Sequence, residues 1–250
     1  MTRYKLILEY DGSPFVGWQR QDNGPSVQAA LEEAVFGFCG ERTTVQGAGR
    51  TDTGVHATGQ VAHVDIEKSV ESATVAKALN AHLKPAPIAV LAAEPVGEDF
   101  HARFSATGRR YLYRILCRPA PPAVLRGQVW WVPQRLDPNA LQAGADRLLG
   151  HHDFSSFRAS ECQAASPEKT LDELRIEARD CGPGGLEIKV HAAARSFLHH
   201  QVRNMVGTLR LVGQGKWSPE RVTQALEARD RRAAGPTAPA AGLYLTDVTY

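Results

Sequence analysis

The sequence lacks the features that mark several classes of protein. Its four cysteines form no C-x-x-C pair and no cluster with histidine at zinc-ligand spacing, so we expect reduced thiols in a cytoplasmic protein. No apolar run reaches the roughly 18 residues of a membrane helix. The apolar start breaks at Glu9 and therefore favours a first strand over a signal peptide. Lysine is scarce, with 7 lysines against 22 arginines among the 29 basic residues.

Motifs for common cofactors are also missing. There is no Walker loop, no nucleophile elbow, no H-E-x-x-H and no glycine-rich phosphate turn after the first strand. Hydrophobic residues make up 43% and charged residues 22% of the 250, with a net charge of +2, which is typical of a globular protein with one or two domains. With these motifs absent, the kind of reaction that we expect is redox-neutral and uses one carboxylate without a metal or cofactor.

Strand and helix patterns alternate along the chain. Strands are predicted at 4–10, 45–48, 58–66, 88–95, 110–117, 170–179, 185–194 and 242–250. Helices are predicted between the cap Ser26 and Gly40, and at 72–83, 137–149, 196–213 and 218–229. The segment RYLYRILC repeats the length and alternation of RYKLILEY at the start. We therefore predict an α+β duplication around antiparallel sheets, with one half at 1–105 and the other at 106–250.

The densest cluster of reactive side chains is GAGRTDTGVHA at residues 47–57. Its glycines allow a positive φ and close approach of a ligand, and Arg50 and Asp52 lie between them. A tight turn whose aspartate accepts backbone amides would give the same pattern, and the spacing alone favours neither interpretation.

A basic and aromatic stretch follows at residues 100–118. It holds five arginines, four aromatic residues and no acid. Such a mixture can supply phosphate contacts and flat surfaces for unstacked bases. The alternative interpretation is an amphipathic edge strand, and for Tyr113 we favour this alternative, with its ring in the core. For the five arginines we favour binding to a polyanion. If the polyanion is a nucleic acid, we expect its contacts from Phe100, His101, Arg103, Phe104, Arg109 and Arg110.

A third feature is the motif RSFLHHQVRNMVGTL at residues 195–209, which falls in the helix predicted at 196–213. Its buried stripe consists of Leu198, Val202, Met205 and Leu209. Arg203 lies at the margin of that stripe, where it must be paired or hydrated, and a surface arginine extended over the core is the alternative. His199 and His200 precede it, but no acid or cysteine follows at ligand spacing, so no metal site is predicted.

Five motifs follow one another along essentially the whole chain. They are GAGRTDTGVHA, TGQVAH, FHARFSATGRRYLYRI, RSFLHHQVRNMVGTL and PAAGLYL. In this order and spacing they resemble the TruA family of tRNA pseudouridine synthases. The resemblance implies two ferredoxin-like α+β halves around a mixed, largely antiparallel central sheet. It also implies a homodimer that isomerises uridine to pseudouridine at positions 38, 39 and 40 of the tRNA anticodon arm, with no cofactor.

The resemblance also implies a role for four residues. Asp52 would be the nucleophile, and Arg203 would be its ion-pair partner. Arg50 would help to flip the target base, and Tyr111 would stack on the flipped uracil. Such an arrangement is chemically reasonable, because base flipping costs a few kcal/mol that an arginine and an aromatic platform can offset.

Two other functions remain open from the residues alone. A non-catalytic RNA-binding or chaperone module would explain the basic stretches, but it gains nothing from Asp52 in a basic loop. A glycosidase needs a second carboxylate at a defined distance, and Glu9 and Asp11 are the candidates.

Overall fold

A computed structural model describes residues 1–68 and 70–250. The strands are β1 Thr2–Tyr10, β2 Gln46–Gly47, β3 His56–Ile66, β4 Ile88–Val96, β5 Gly108–Cys117, β6 Trp130–Val132, β7 Gly150–Asp153, β8 Glu168–Asp180, β9 Leu186–Ala194 and β10 Leu243–Thr249. The α-helices are α1 Val27–Cys39, α2 Ser72–Leu83, α3 Pro138–Ala145, α4 Gln201–Gly213 and α5 Pro219–Glu227. Among the described helices, none is both long enough and apolar enough to span a bilayer.

The chain forms two compact units. The first comprises Met1–Thr107 together with Tyr244–Tyr250, and the second comprises Gly108–Leu243. The final strand therefore belongs to the first unit, although it comes last in the sequence. The division of the chain into domains near residue 105 stays a prediction.

The first unit contains strands in the order β4-β1-β3-β10, with β2 paired to β3. Strand β1 is antiparallel to both β3 and β4, whereas β10 runs parallel to β3. Alternate residues of β1 and β3, among them Leu6 and Val64, are fully buried. Helix α2 packs against β4 and α1. Strand β1 thus turns one face to the core, as a period of two requires, whereas β3 is buried on both faces from Gln60 to Val64.

The second unit contains antiparallel strands in the order β5-β9-β8-β7, and β6 pairs in parallel with β5. Helix α3 packs against α4 and β8. Tyr113, Phe154 and Phe157 are the largest side chains of its core. Both units are α+β and mainly antiparallel with a parallel pair in each, so the predicted class, α+β with mixed and largely antiparallel strands, is confirmed.

Helix α1 has the ends that its sequence predicts. The Ser26 hydroxyl accepts a hydrogen bond of 3.2 Å from Ala29 N. Gly40 has a φ of 77°, and its N–H donates to Phe36 O at 2.8 Å. A left-handed residue closes a helix in this way most cheaply when it is glycine.

One predicted element was wrong at its start, and two short strands were not predicted. The helix predicted from residue 196 begins at Gln201, because His200 has a left-handed φ of 63° that cannot continue a helix. Leu198 therefore lies before the helix, yet it is buried and its N–H donates to Gln201 Oε1 at 2.8 Å. The short strands β6 and β7 were not predicted, since three or four residues give too little alternation.

Candidate active site

Residues 48–55 connect β2 to β3 and carry Arg50 and Asp52. Ala48 N donates to Val61 O at 2.7 Å and so extends the pairing of β2 with β3. Further along, Thr51 O accepts a hydrogen bond of 3.0 Å from Trp18 N, and Val55 N donates to Asp52 O at 3.1 Å. The loop is therefore held at its start, middle and end by backbone hydrogen bonds.

A buried group of polar side chains supports the same loop from inside the first unit. The hydroxyl groups of Tyr10 and Thr51 lie 2.9 Å apart, and Gln60 Nε2 lies 3.4 Å from the Tyr10 hydroxyl and donates to Gly49 O at 2.9 Å. Burial raises the pKa of Tyr10 to about 12, so its hydroxyl stays protonated. Thr51 is buried, Asp52 is half-buried and Arg50 is exposed. The supported backbone thus presents both charged residues at the surface.

Close backbone contacts explain two glycines near the loop. A Cβ atom on Gly12 would overlap the Val55 carbonyl oxygen. Gly54 has a φ of 76°, a conformation that residues with a side chain adopt at a cost. The glycines are therefore needed for the shape of the loop.

His56 locks the start of β3 to the turn after β1. It is 2% exposed, its Nδ1 accepts from Gly12 N at 3.0 Å and lies 3.1 Å from Asp11 Oδ1, and its ring stacks on Tyr244 with centroids 4.7 Å apart. Asp11 Oδ1 also accepts from Ser13 N at 2.9 Å. Asp11 is therefore used in fixing a turn, which weakens its case as the second carboxylate of a glycosidase.

The predicted contacts between residues 100 and 104 lie together in another loop of the first unit. His101 Nδ1 accepts hydrogen bonds from Arg103 N at 3.1 Å and Phe104 N at 3.3 Å. The ring of Phe104 is 76% exposed and lies 4.4 Å from the His101 ring, whereas Phe100 packs on Tyr250 at 4.8 Å. The loop therefore presents Phe104 to solvent on a backbone that hydrogen bonds hold in place.

His63 anchors that loop to β3. Its Nδ1 accepts a hydrogen bond of 3.1 Å from Ala102 N. Burial, with a smaller contribution from the positive charge of Arg3, lowers the pKa of His63 to about 4. The imidazole is therefore neutral at pH 7 and keeps Nδ1 available as an acceptor.

The remaining predicted residues lie in the second unit. On β5, Arg109 Nη1 donates to Arg195 O at 2.7 Å and Arg110 Nη1 lies 2.8 Å from Glu173 Oε2. Tyr111 contacts the edge of Phe197, with ring centroids 5.2 Å apart at 88°. The ring of Tyr111 is half-buried and held by a perpendicular neighbour.

Arg203 lies in the first turn of α4 and is half-buried. Its Nε donates to Ala238 O at 2.8 Å, and Ala238 N donates to Arg203 O at 3.1 Å. The side chain and the backbone of Arg203 thus both bond to one residue of a distant segment. A planar guanidinium held at Nε has a fixed orientation.

The sequence matches the tRNA pseudouridine synthase family over residues 6–105 and 145–250. The chain belongs to this family. It is 64% identical to the tRNA pseudouridine synthase A of Paramagnetospirillum magneticum, over 100% of this chain and 96% of that protein. The proteins of the same name from Rhodospirillum centenum and Rhodospirillum rubrum are 62% and 60% identical over this whole chain and cover 100% and 88% of their own lengths.

Among solved structures, a Cbf5-Nop10-Gar1 complex matches with 12% identity and a TM-score of 0.37, over 97% of this chain and 48% of that one. The family assignment rests on the sequence matches. A tRNA pseudouridine synthase converts uridine in tRNA to pseudouridine, so the chain is an isomerase.

Within this tRNA pseudouridine synthase, Arg50 and Asp52 share one loop, and the predicted contacts from Phe100 to Phe104 share another. The sequence analysis did not find the residues that support the reactive loop. Gln60 is fully buried in β3, and a polar residue at an inward position of the strand TGQVAH was the available signal. Tyr10 gave no such signal, because tyrosine is common in strand cores.

Proposed function

We propose that this tRNA pseudouridine synthase modifies positions 38, 39 and 40 of the anticodon arm, with Asp52 as the catalytic carboxylate. The observation that carries the proposal is that Asp52 is half-buried and follows Thr51, whose hydroxyl group is held by the buried Tyr10. A carboxylate on a loop that is held in this way can react with one atom of a bound nucleotide without reorganising the loop.

Asp52 would cleave the bond between N1 and C1′ of the target uridine. In one route its oxygen bonds to C1′ and the uracil leaves with the electron pair of the broken bond. The uracil then turns, C5 displaces the carboxylate from C1′, the C5 proton is lost and N1 gains a proton. In the other route the carboxylate removes a proton from C2′ as the uracil leaves, which gives a C1′=C2′ double bond. After the uracil turns, C5 bonds to C1′ while the proton returns to C2′, the C5 proton is lost and N1 gains a proton. Neither route changes the oxidation state, and no cofactor is required by the balance.

Other residues would prepare the nucleotide for this step. Arg50 is exposed beside Asp52 and would fill the space that the flipped base leaves, while Tyr111 would stack on the flipped uracil. Arg203 would pair with Asp52 through a charged hydrogen bond and orient its carboxylate. Contacts with tRNA are assigned to Phe100, His101, Arg103, Phe104, Arg109 and Arg110. We further propose that the protein is a cytoplasmic homodimer. Because three neighbouring positions of the tRNA are substrates, the enzyme needs few contacts that read the identity of a base.

The deciding experiment compares Asp52→Asn with Asp22→Asn, which makes the same change at an exposed position of the first unit. Each protein is incubated with tRNA without metal or nucleotide, and pseudouridine is mapped by position. We expect Asp52→Asn to form no product while its affinity for tRNA stays within a few-fold, and Asp22→Asn to behave as wild type. Near-normal turnover of Asp52→Asn would refute the catalytic assignment, and binding without product in the wild type would favour the non-catalytic RNA-binding module.

The same assay tests Arg203. Arg203→Ala should lower turnover by roughly two to three powers of ten, the range seen when a charge stabiliser is removed, with little change in tRNA binding. Arg203→Lys should recover part of the loss, because it keeps the charge without the two-pronged geometry. Weakened binding with normal turnover would make Arg203 a phosphate contact instead.

A further inference from the structure

Asn204, the residue after Arg203, is fully buried and makes three side-chain hydrogen bonds. Its Nδ2 donates to Phe157 O at 2.8 Å. Its Oδ1 accepts from Thr237 Oγ1 at 2.6 Å and from Arg231 Nη2 at 3.1 Å. A buried amide with partners on both ends cannot turn or shift without leaving one of them unsatisfied. Asn204 is therefore a fixed attachment point inside the second unit.

The segment that Asn204 holds, residues 235–238, runs alongside α4. Gly235 N donates to Thr208 Oγ1 at 2.9 Å, and the Thr208 hydroxyl donates to Asn204 O at 2.8 Å. A Cβ atom on Gly207 would overlap the carbonyl oxygen of Pro236. Helix and segment are thus in direct backbone contact, which explains a glycine in the middle of a buried helix face.

Arg231 ties the segment to Asn204 from its other side. Its Nη1 donates to Gly235 O at 2.8 Å, and its Nη2 donates to Thr237 Oγ1 at 3.0 Å as well as to Asn204. Partial burial removes part of the hydration of the Arg231 guanidinium and lowers its pKa. The bonds to oxygen atoms of the segment replace that hydration.

Tyr113 attaches the far end of the segment. Its hydroxyl donates to Pro239 O at 2.7 Å, and its ring is fully buried. Ala238 lies between the attachments at Thr237 and Pro239, and it is itself buried. Its carbonyl oxygen is the acceptor for Arg203 Nε at 2.8 Å.

We propose that Asn204, acting through Thr237 and Ala238, is a positioning residue that orients the guanidinium of Arg203 for the reaction. The proposal rests on the proposed role of Arg203 as the partner of Asp52. Asn204 and Thr237 fix Ala238, and Ala238 fixes the Nε–H direction of Arg203. A guanidinium that turns away no longer stabilises the reacting carboxylate, so the loss falls on turnover and not on tRNA binding.

The test uses Thr237→Val, which removes one hydroxyl and leaves the shape of an exposed residue, together with Asn204→Ala. Thr170→Val is the matched control, because the Thr170 hydroxyl also has a side-chain partner, His151, in the same unit but away from α4. If Asn204→Ala fails to fold, Thr237→Val alone still tests the positioning role. We expect kcat for Thr237→Val to fall about tenfold with KM unchanged, Thr237→Ser to restore it, and Thr170→Val to match wild type.

A double-mutant cycle identifies the route of the effect. If Thr237 acts through Arg203, adding Thr237→Val to Arg203→Ala should cause no further loss of kcat, since coupled residues are not additive. Full additivity, a rise in KM alone, or a lower melting temperature with wild-type kcat would each overturn the positioning role. Normal turnover of Arg203→Ala would instead refute the proposed role of Arg203. Slow Arg203→Ala with a wild-type Thr237→Val would refute only the inference about Asn204.

Discussion

The hydroxyl groups of Tyr10 and Thr51 lie 2.9 Å apart in the interior of the first unit, although 41 residues separate them in the chain. Tyr10 ends β1, and Thr51 is the neighbour of Asp52. The sheet therefore sets the position of the reactive loop through a side chain that has no chemistry of its own.

Tyr10→Phe should slow the reaction without touching a charged residue. The change removes one hydroxyl from a buried group, which costs about 1–3 kcal/mol of unfolding free energy, and it loosens Thr51. We expect turnover to fall about tenfold, roughly 1.4 kcal/mol in activation free energy. Turnover and urea unfolding of the same preparation provide the measurement.

The matched control is Tyr4→Phe on the same strand. Tyr4 is also buried, and its hydroxyl donates to Val70 O at 2.7 Å, away from the loop of Asp52. A similar loss of stability with wild-type turnover is expected. Equal turnover in the two variants would show that Tyr10 contributes to stability alone.

The stability of the first unit should depend on His63 between pH 6.5 and 4. Its pKa in the folded protein is about 4, against 6.5 in the unfolded chain, so the unfolded chain binds more protons in this window. Stability from the neutral imidazole is therefore fully present above pH 6.5 and is lost as the pH falls towards 4, by about 3 kcal/mol in all.

Replacing His63 by asparagine keeps an acceptor for Ala102 N and removes the titration. Urea unfolding between pH 7 and 4 should give a flatter profile for His63→Asn than for the wild type. His151→Asn, at an exposed histidine, should keep the wild-type slope. Parallel profiles for the wild type and His63→Asn would contradict the assignment.

Arginines of β5 should contribute to the salt dependence of tRNA binding. If Arg109 and Arg110 each neutralise a phosphate, replacing both by alanine should reduce the slope of log affinity against log salt by about 1.4 to 1.8. Arg175→Ala is the control, because Arg175 shares the partner Glu173 with Arg110 and the two are similarly exposed, at 53% and 56%. An unchanged slope in the double variant would mean that these arginines face elsewhere.

The sequence predicts features that depend on neighbouring residues better than those that depend on distant ones. Helix α1 follows from Ser26 and Gly40, because caps act within one turn. The start of α4 cannot be predicted in this way, because no local sequence signal at residues 199–201 indicates that His200 adopts a left-handed conformation. Strand β6 is defined by its pairing with β5, because a strand of three residues is too short to show the two-residue hydrophobic alternation.

The candidate site divides in the same way. Asp52 and Arg50 are visible in the sequence because glycines and charged residues crowd one short motif. Asn204 is a polar residue next to the apolar stripe of α4 and gives no sign of its role, and its partners Arg231 and Thr237 come 27 and 33 residues later. Long-range hydrogen bonds of this kind leave no local pattern, so the supporting residues appear only in the folded chain.

The last strand has a consequence for synthesis on the ribosome. Tyr244 and Leu245 pair with His56 and Ala57, and Thr249 O accepts from Thr107 N at 2.8 Å. At about 5–20 residues per second, synthesis reaches β10 about 7 to 27 seconds after residue 107. Until then β3 has an open edge beside the loop of Asp52, and nascent chains must avoid pairing there with one another. The chain therefore acquires its complete reactive unit only when translation has passed the second unit.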